Sequence, residues 1–312
     1  MAQTEQERAA WLEERRKGIG ASEAAAVCGL TEWSTPLQVF LDKTGQLADS
    51  PMTAAQRIGL LMEPVVTQLY EEAMNVKTII PPANMVHPQH AFIRANPDRF
   101  TDDGEINVQL KTAAFKSDDW GEPLTDDIPV QYLTQVQHEM LVTGKEITHL
   151  PVLFLSNKEF IVYVIEPHKQ LMADMIEIES HFWHEFVEKR VAPEPTWKHP
   201  TTVELLQRLF RIVAGGEVGE VPADDVAATI MLCAEYVSLG EAATTIKKQR
   251  DEAKARLLWA IGDKAGLKIG ADYLLTRKEV ERGAYSVAAT KYVDMRVKDL
   301  KKVKKGKKHE EE

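Results

Sequence analysis

The sequence has little cysteine and no long apolar segment. Its 312 residues include only Cys28 and Cys233 as cysteines, which excludes a disulfide framework or a four-thiolate zinc or iron–sulfur site within one chain. Apolar runs such as residues 150–155 are far shorter than the roughly 20 residues needed to cross a bilayer. The first residues lack the basic start and apolar segment of a signal peptide. We therefore expect no membrane association and a cytoplasmic location.

Motifs for nucleotide cofactors are also missing. Gly18-x-Gly20 lacks the third glycine and the preceding strand of a dinucleotide site, and the chain has no Gly-x4-Gly-Lys-Ser/Thr sequence. An ATP-driven motor is therefore not expected. His181 and His184 lack the glutamate of a zinc-protease motif, so two surface histidines are the simpler interpretation.

The charge is unevenly distributed. The net charge of −10 has the wrong sign for contacts with nucleic-acid phosphates, which Lys and Arg make. Residues 296–308, however, carry eight basic side chains against the single acid Asp299. This tail is interpreted either as a solvated, disordered end, which is slightly favoured, or as a DNA contact.

Hydrophobic periodicity predicts helices and strands in mixed order, which indicates an α/β core. The predicted helices span residues 11–16, 22–28, 36–43, 53–75, 129–144 and 167–190. The predicted strands span residues 92–95, 106–112, 148–155 and 160–165, the last two forming a hairpin. In the long helix, the apolar residues Ile58, Leu61, Val65 and Leu69 predict one buried stripe.

Composition divides the chain into an α/β domain and an extension. The α/β domain covers residues 1–195. Because the stretch 191–200 holds Pro193, Pro195 and Pro200, residues 196–200 are predicted to be a linker. Residues 201–295 form the extension, with a helix over 224–264 that packs on a hairpin over 267–282. Residues 296–312 are the basic, disordered tail.

One strand and its surroundings carry a pattern suited to phosphodiester chemistry. Asp98 is followed 11 and 13 residues later by Gln109 and Lys111, which point the same way because strand side chains alternate. A carboxylate can hold a hard cation that polarises a phosphate, while a Lys ammonium orients water or stabilises negative charge. On this spacing alone, solvated surface charges are the commoner explanation. Glu63, beside the apolar stripe of a helix, indicates a paired or metal-bound carboxylate.

A later helix presents a polar face made by Tyr132, Gln135 and Glu139, which are spaced at i, i+3 and i+7. An ordinary amphipathic helix explains this spacing equally well.

The order of several short motifs resembles that of the YqaJ-type viral recombinase family. These are lambda-type exonucleases within the PD-(D/E)XK nuclease superfamily. The resemblance covers roughly residues 8–190. The motifs are Trp11-x3-Arg15, Gly18-Ile19-Gly20-Ala21-Ser22, Gly59-x3-Glu63-Pro64, Asn96-Pro97-Asp98, Gln109-Leu110-Lys111-Thr112, and Tyr132-x2-Gln135-Val136-Gln137 with Thr143-Gly144.

The resemblance implies a metal-dependent site in a restriction-endonuclease-like core, a mixed central sheet flanked by helices. Asp98, Gln109 and the Leu110 carbonyl would bind Mg²⁺, with Mn²⁺ as an alternative metal. Glu63 would support a second ion, and Lys111 would serve the attacking water.

The resemblance also implies residues that line the site and hold the DNA end. Gln135 would lie on the helix lining the active site, and Tyr132 on its first turn. Arg15 and Ser22 would bind the 5′-phosphate of DNA, and Ser22 is also a suitable helix N-cap. Capping alone, for Ser22, and a surface ion pair, for Arg15, are the alternatives.

Two positions depart from the family pattern. Gln109 stands where the family usually has Glu, and Arg99 where it usually has Gly. A Gln oxygen can coordinate Mg²⁺ but brings no charge, so metal affinity and activation of bound water should fall. Three interpretations stay open: an engineered silencing of cleavage, which is favoured, a natural variant that tolerates Gln, or a member that has lost cleavage.

The resulting expectation is a Mg²⁺-dependent exonuclease that degrades one strand of duplex DNA in the 5′–3′ direction and leaves a 3′ overhang. The resemblance further implies a ring-shaped homotrimer and a single-strand annealing recombinase as partner. A non-cleaving DNA-end-binding protein, favoured by Gln109, and an endonuclease of the same superfamily are the alternatives.

Overall fold

The protein divides into two units after Phe210. A computed structural model describes residues 12–47, 52–210 and 219–276. Leu205 is buried in the core of the first unit, so that unit continues beyond the predicted linker at 196–200. The predicted domain boundary is corrected accordingly. The predicted basic tail lies outside the described residues.

Apart from Thr202–Leu209, which was not predicted as a separate helix, the helices of the first unit agree closely with the periodicity. Residues 12–15 are helical, and a short π-helix, Phe182–Val187, replaces the end of the predicted helix 167–190. The α-helices of the unit are α1 (Ala21–Val27), α2 (Pro36–Lys43), α3 (Ala54–Met74), α4 (Val130–Thr143), α5 (Lys169–His181) and α6 (Thr202–Leu209).

The strands of the first unit form a three-stranded and a six-stranded sheet. They are β1 (Ile19–Gly20), β2 (Thr78–Ile79), β3 (Met85–Val86), β4 (Ile93–Ala95), β5 (Arg99–Thr101), β6 (Asn107–Val108), β7 (Lys111–Ala113), β8 (Thr148–Phe154) and β9 (Glu159–Ile165). The small sheet has the order β1–β4–β3. In the large sheet, β6 and β7 both run parallel to β8, whereas β9 pairs with β8 in the predicted antiparallel hairpin.

Helices cover both faces of the large sheet. Val108 and Leu110 pack on the side of α3, against Val66 and Tyr70. The alternate residues of β8 and β9 pack with Val136 and other apolar residues of α4. A mixed sheet flanked by helices confirms the predicted α/β core.

The boundaries of α3 follow from its caps. The Thr53 hydroxyl accepts a hydrogen bond from the Gln56 N–H at 3.2 Å, and Asn75 ends the helix in the left-handed conformation at φ 53°. The predicted apolar stripe is wrong in its orientation, since Leu61 is 66% exposed. Val66 and Tyr70 form the buried face instead, because they face the sheet.

The second unit contains one long helix, α7 (Val226–Ile261), and a hairpin of β10 (Gly266–Ile269) with β11 (Tyr273–Thr276). The expected packing of the helix on the hairpin is not observed for Ile230, Ile246 and Leu257, which are exposed. By length and composition alone, the helical segment Ala223–Ile261 could cross a membrane. Its apolar residues are interrupted by polar ones, so it contains no long continuous apolar run. A core helix or a signal sequence meets the same criterion, so the absence of membrane association stays a prediction.

Candidate active site

Asp98 lies immediately before β5, opposite the point where β6 gives way to β7. Its Oδ2 accepts a hydrogen bond from the Leu110 N–H at 2.8 Å. That N–H bonds to the carboxylate instead of to a neighbouring strand, so the predicted strand 106–112 is observed as two short strands with the site between them. Asp98 and Lys111 are thus brought to one place, where their charges interact.

Lys111, close to Asp98, also contacts helix α4. Its Nζ donates a hydrogen bond to Gln135 Oε1 at 2.9 Å and lies 5.5 Å from the centre of the Tyr132 ring. The predicted positions of Lys111, Gln135 and Tyr132 in one cluster therefore agree with the structure. The ring face favours a cation, and the amide oxygen is an acceptor for the ammonium group.

The carboxylates of Glu63 and Asp98 are close enough to affect one another. Burial raises the pKa of Glu63, and the charge of Asp98 raises it further. Burial also raises the pKa of Asp98, while the Lys111 ammonium and the Leu110 N–H oppose that increase. A divalent cation would relieve the effect of the Asp98 charge on Glu63 and the burial of both carboxylates.

Gln109 has the properties of a candidate metal ligand. It is 5% exposed, and its N–H donates to the His149 carbonyl at 2.9 Å. Its buried Oε1 has no hydrogen-bond partner in the part of the chain that the structure describes. Since a buried amide oxygen normally has a donor or a cation beside it, the residues present fit a divalent metal.

This fit depends on the Gln109 oxygen. Across residues 12–47, 52–210 and 219–276, no group of three or more His, Cys, Asp and Glu side chains could hold a metal ion. Glu63 and Asp98 supply two carboxylates, and the third position that a carboxylate could occupy holds an amide.

Glu139 is a member of the site that the sequence analysis placed only on a polar helix face. It is 1% exposed. Its Oε1 accepts from Gln135 Nε2 at 3.0 Å, and its Oε2 accepts from Asn107 Nδ2 at 2.9 Å. Burial raises the pKa of Glu139 to about 7. The spacing of four residues between Gln135 and Glu139 was the available sequence signal.

The predicted phosphate-binding residues lie near the start of α1. Arg15 Nη2 bonds to Glu23 Oε1 at 2.6 Å, and the buried Lys43 Nζ bonds to the other oxygen of Glu23 at 2.6 Å. The predicted role of Ser22 as N-cap is wrong. Gly20 is the N-cap, its N–H bonds to Glu23 Oε2, and Ser22 is an exposed residue of the first helical turn.

Comparisons with known proteins agree with the motif order. Residues 10–146 match the model of the YqaJ-like viral recombinase domain. The uncharacterized protein YqaJ of Bacillus subtilis (strain 168) is 36% identical over 194 residues. This similarity covers 61% of the present chain and 60% of that relative.

Two solved structures show similarity over more than half of the chain. An alkaline exonuclease (LHK-Exo) from Laribacter hongkongensis is 19% identical, with a TM-score of 0.47, over 59% of this chain and 94% of that one. A phage-related exonuclease from Haemophilus somnus 129PT is 11% identical, with a TM-score of 0.41, over 55% of this chain and 96% of that one. The predicted resemblance to the YqaJ-type viral recombinase family is confirmed by the match of residues 10–146 to the family model and by the similarity to the Bacillus relative.

Proposed function

We propose that this chain is a divalent-metal-dependent nuclease that digests one strand of duplex DNA from a 5′-phosphorylated end and leaves a 3′ overhang. The observation that carries the proposal is that Asp98 bonds to the Leu110 N–H and interacts with the charge of Lys111, on the same segment as the buried Gln109 oxygen. The match to a viral recombinase domain supports DNA as the substrate.

The metal would be held by Asp98, Gln109 Oε1 and the Leu110 carbonyl, with Glu63 supporting a second ion. Mg²⁺ suits these oxygen ligands, and Mn²⁺ is the alternative. When bound, such an ion polarises the phosphate and lowers the pKa of a bound water. The neutral Gln109 weakens this site relative to a glutamate because it removes one negative charge.

The remaining residues orient the substrate and the attacking water. Lys111 Nζ keeps protons that are not used by Gln135 Oε1, and these can donate to a water or to the scissile phosphate. The Tyr132 ring limits where the ammonium group can lie. No step requires a covalent enzyme intermediate, since water is the nucleophile.

The 5′-phosphate would bind near Arg15 and Ser22. The guanidinium already bonds to Glu23, so a phosphate would have to share or replace that carboxylate. The exposed Ser22 hydroxyl and the first turn of α1 would add donors. A homotrimeric ring, a single-strand annealing partner and a cytoplasmic location belong to the same proposal.

A digestion assay with two DNA forms tests the proposal. Linear duplex with 5′-phosphorylated ends and closed circular DNA are incubated with Mg²⁺ and either the present chain or Gln109→Glu. We expect Gln109→Glu to digest linear DNA only, because the added carboxylate supplies the negative charge that the metal site lacks. The present chain should show little or no digestion. The double variant Gln109→Glu, Lys111→Ala serves as the control for contaminating nucleases.

Other outcomes would contradict the exonuclease. Digestion of circles would identify an endonuclease. Failure of both versions to cut, together with retained binding of labelled duplex ends, would favour a non-cleaving end-binding protein, the function that Gln109 itself favours.

A further inference from the structure

A buried hydrogen-bond chain connects strand β6 to the Lys111 ammonium. Asn107 Nδ2 donates to Glu139 at 2.9 Å, and Glu139 accepts from Gln135 Nε2 at 3.0 Å. Gln135 Oε1 then accepts from Lys111 Nζ at 2.9 Å. Asn107 and Glu139 are almost completely buried. Water therefore has little access to compete for the bond between Asn107 and Glu139, whereas Gln135 and Lys111 are partly buried.

In this series of hydrogen bonds, the donor and acceptor of each bond determine the donor and acceptor of the next. A Lys ammonium has donors only, so Gln135 must present its oxygen to Lys111. Its amide nitrogen then needs an acceptor, and the Glu139 carboxylate supplies one. Asn107 holds the second carboxylate oxygen, which prevents Glu139 from turning away. The orientation of the Gln135 amide is therefore determined by Glu139.

The position of Glu139 is costly for folding. It lies between Val136 and Met140 of the same helix, both fully or almost fully buried. An apolar side chain there would avoid removing a carboxyl group from water, and replacements of buried polar groups by apolar ones are often neutral or stabilising. A buried carboxyl group at this position is thus better explained by what it orients than by stability.

We propose that Glu139 is a positioning residue that acts through Gln135 to hold the Lys111 ammonium at the nuclease site. The consequence for catalysis rests on the proposed function. Glu139 itself contacts no substrate or metal in this assignment. Its removal should leave DNA binding intact and should let Lys111 sample other rotamers.

The first test uses activity in the Gln109→Glu background. Glu139→Leu and Gln135→Leu should each reduce kcat by roughly 10- to 100-fold, as losses of supporting hydrogen-bond partners do, with KM for DNA ends unchanged. The double variant should lose no more than the larger single loss, since both act on Lys111 through one chain. Glu139→Gln should retain more activity than Glu139→Leu because its amide oxygen can still accept from Gln135.

The matched control is Thr134→Val. Thr134 is a buried polar residue of α4 whose hydroxyl donates to the Val130 carbonyl, outside the chain described above. It should leave kcat and KM unchanged. Full activity of Glu139→Leu, or multiplied losses in the double variant, would overturn the proposal.

A second test does not depend on nuclease activity. Acetylation of Lys111 by an amine-reactive reagent is followed by mass spectrometry in the metal-free protein, with the exposed Lys158 as internal reference. Loss of one net hydrogen bond should raise the Lys111 rate roughly 2- to 10-fold in Glu139→Leu and Gln135→Leu. An unchanged rate would overturn the positioning role. A raised rate without DNA digestion by the Gln109→Glu parent would support that role and refute the nuclease.

Discussion

The buried pair of His138 and Glu179 predicts a pH-dependent loss of stability when the carboxylate is neutralised. Both side chains are 0% exposed, and His138 Nδ1 lies 2.9 Å from Glu179 Oε1. The other imidazole nitrogen bonds to the Arg94 carbonyl at 3.0 Å. Replacing one partner of a buried ion pair typically costs about 3–5 kcal/mol, so Glu179→Gln should destabilise the first unit by that order at low pH.

The sign of the pH dependence follows from the pKa of His138 with the Glu179 carboxylate present and with it neutralised. Burial lowers its pKa, but the Glu179 carboxylate, the Arg94 carbonyl and the Glu139 carboxylate together outweigh burial, so the net pKa lies above the ordinary 6.5. The pair therefore contributes fully below pH 6.5, and the contribution is lost as the pH rises through the folded pKa. Without the Glu179 carboxylate, only the Arg94 carbonyl and the Glu139 carboxylate still oppose burial, so we expect the pKa of His138 to fall and the variant to lose stability as the pH falls below 6.5. The difference between the two proteins should shrink with rising pH by up to about 1.4 kcal/mol per pH unit.

Urea unfolding between about pH 5.5 and 8.5 measures this difference across the His titration range. Trp259 is the one tryptophan of the sequence after Phe210, so a Trp259→Phe background restricts the fluorescence signal to the first unit. Glu188→Gln is the control, because it neutralises the carboxylate of an exposed pair with His184 and should change nothing measurable. A difference that is constant over the whole pH range would refute the reasoning.

Two further substitutions test packing in the first unit by the same unfolding assay. Tyr70→Phe removes the buried hydroxyl that lies 2.8 Å from His149 Nδ1 and should cost about 1 kcal/mol, so unchanged stability would contradict this bond. Gly18→Ala would place a methyl carbon 2.4 Å from the Phe92 carbonyl oxygen and should cost about 1–3 kcal/mol. Gly59→Ala is the control in the same unit, because the added carbon lies at an ordinary 3.8 Å from Thr112 Oγ1 and should not destabilise; equal effects would contradict the steric argument.

Local signals in the sequence predict the helices and the long hairpin well. Thr53 and Asn75 are residues that cap helices, and they bound α3 within one residue of the predicted range. The strands β2, β3 and β5 were not predicted because two or three residues are too few to show alternation. The buried face of α3 was missed for a different reason: apolar residues occur on two sides, and only the position of the sheet decides between them.

The part of the candidate site that lies within one sequence motif was predictable. The contacts between segments distant in sequence were not. Asp98 immediately precedes β5, and Lys111, 13 residues later, begins β7; their motif predicted the cluster. The contact between Asn107 and Glu139 joins residues 32 positions apart, which no local pattern reveals. The predicted capping role of Ser22 failed because Glu23, one residue later, satisfies the N-terminus of α1 instead.

The interruption between β6 and β7 leaves the alignment with β8 unchanged. Val108 lies opposite His149 before the interruption, and Lys111 lies opposite Val152 after it. Three positions pass on each strand, so the segment contains no extra residue. Inserting or deleting one residue here would turn Lys111 towards the opposite side of the sheet, away from α4. Position 109 can therefore change its chemistry, from acid to amide or back, while the length of the segment cannot change without dismantling the site.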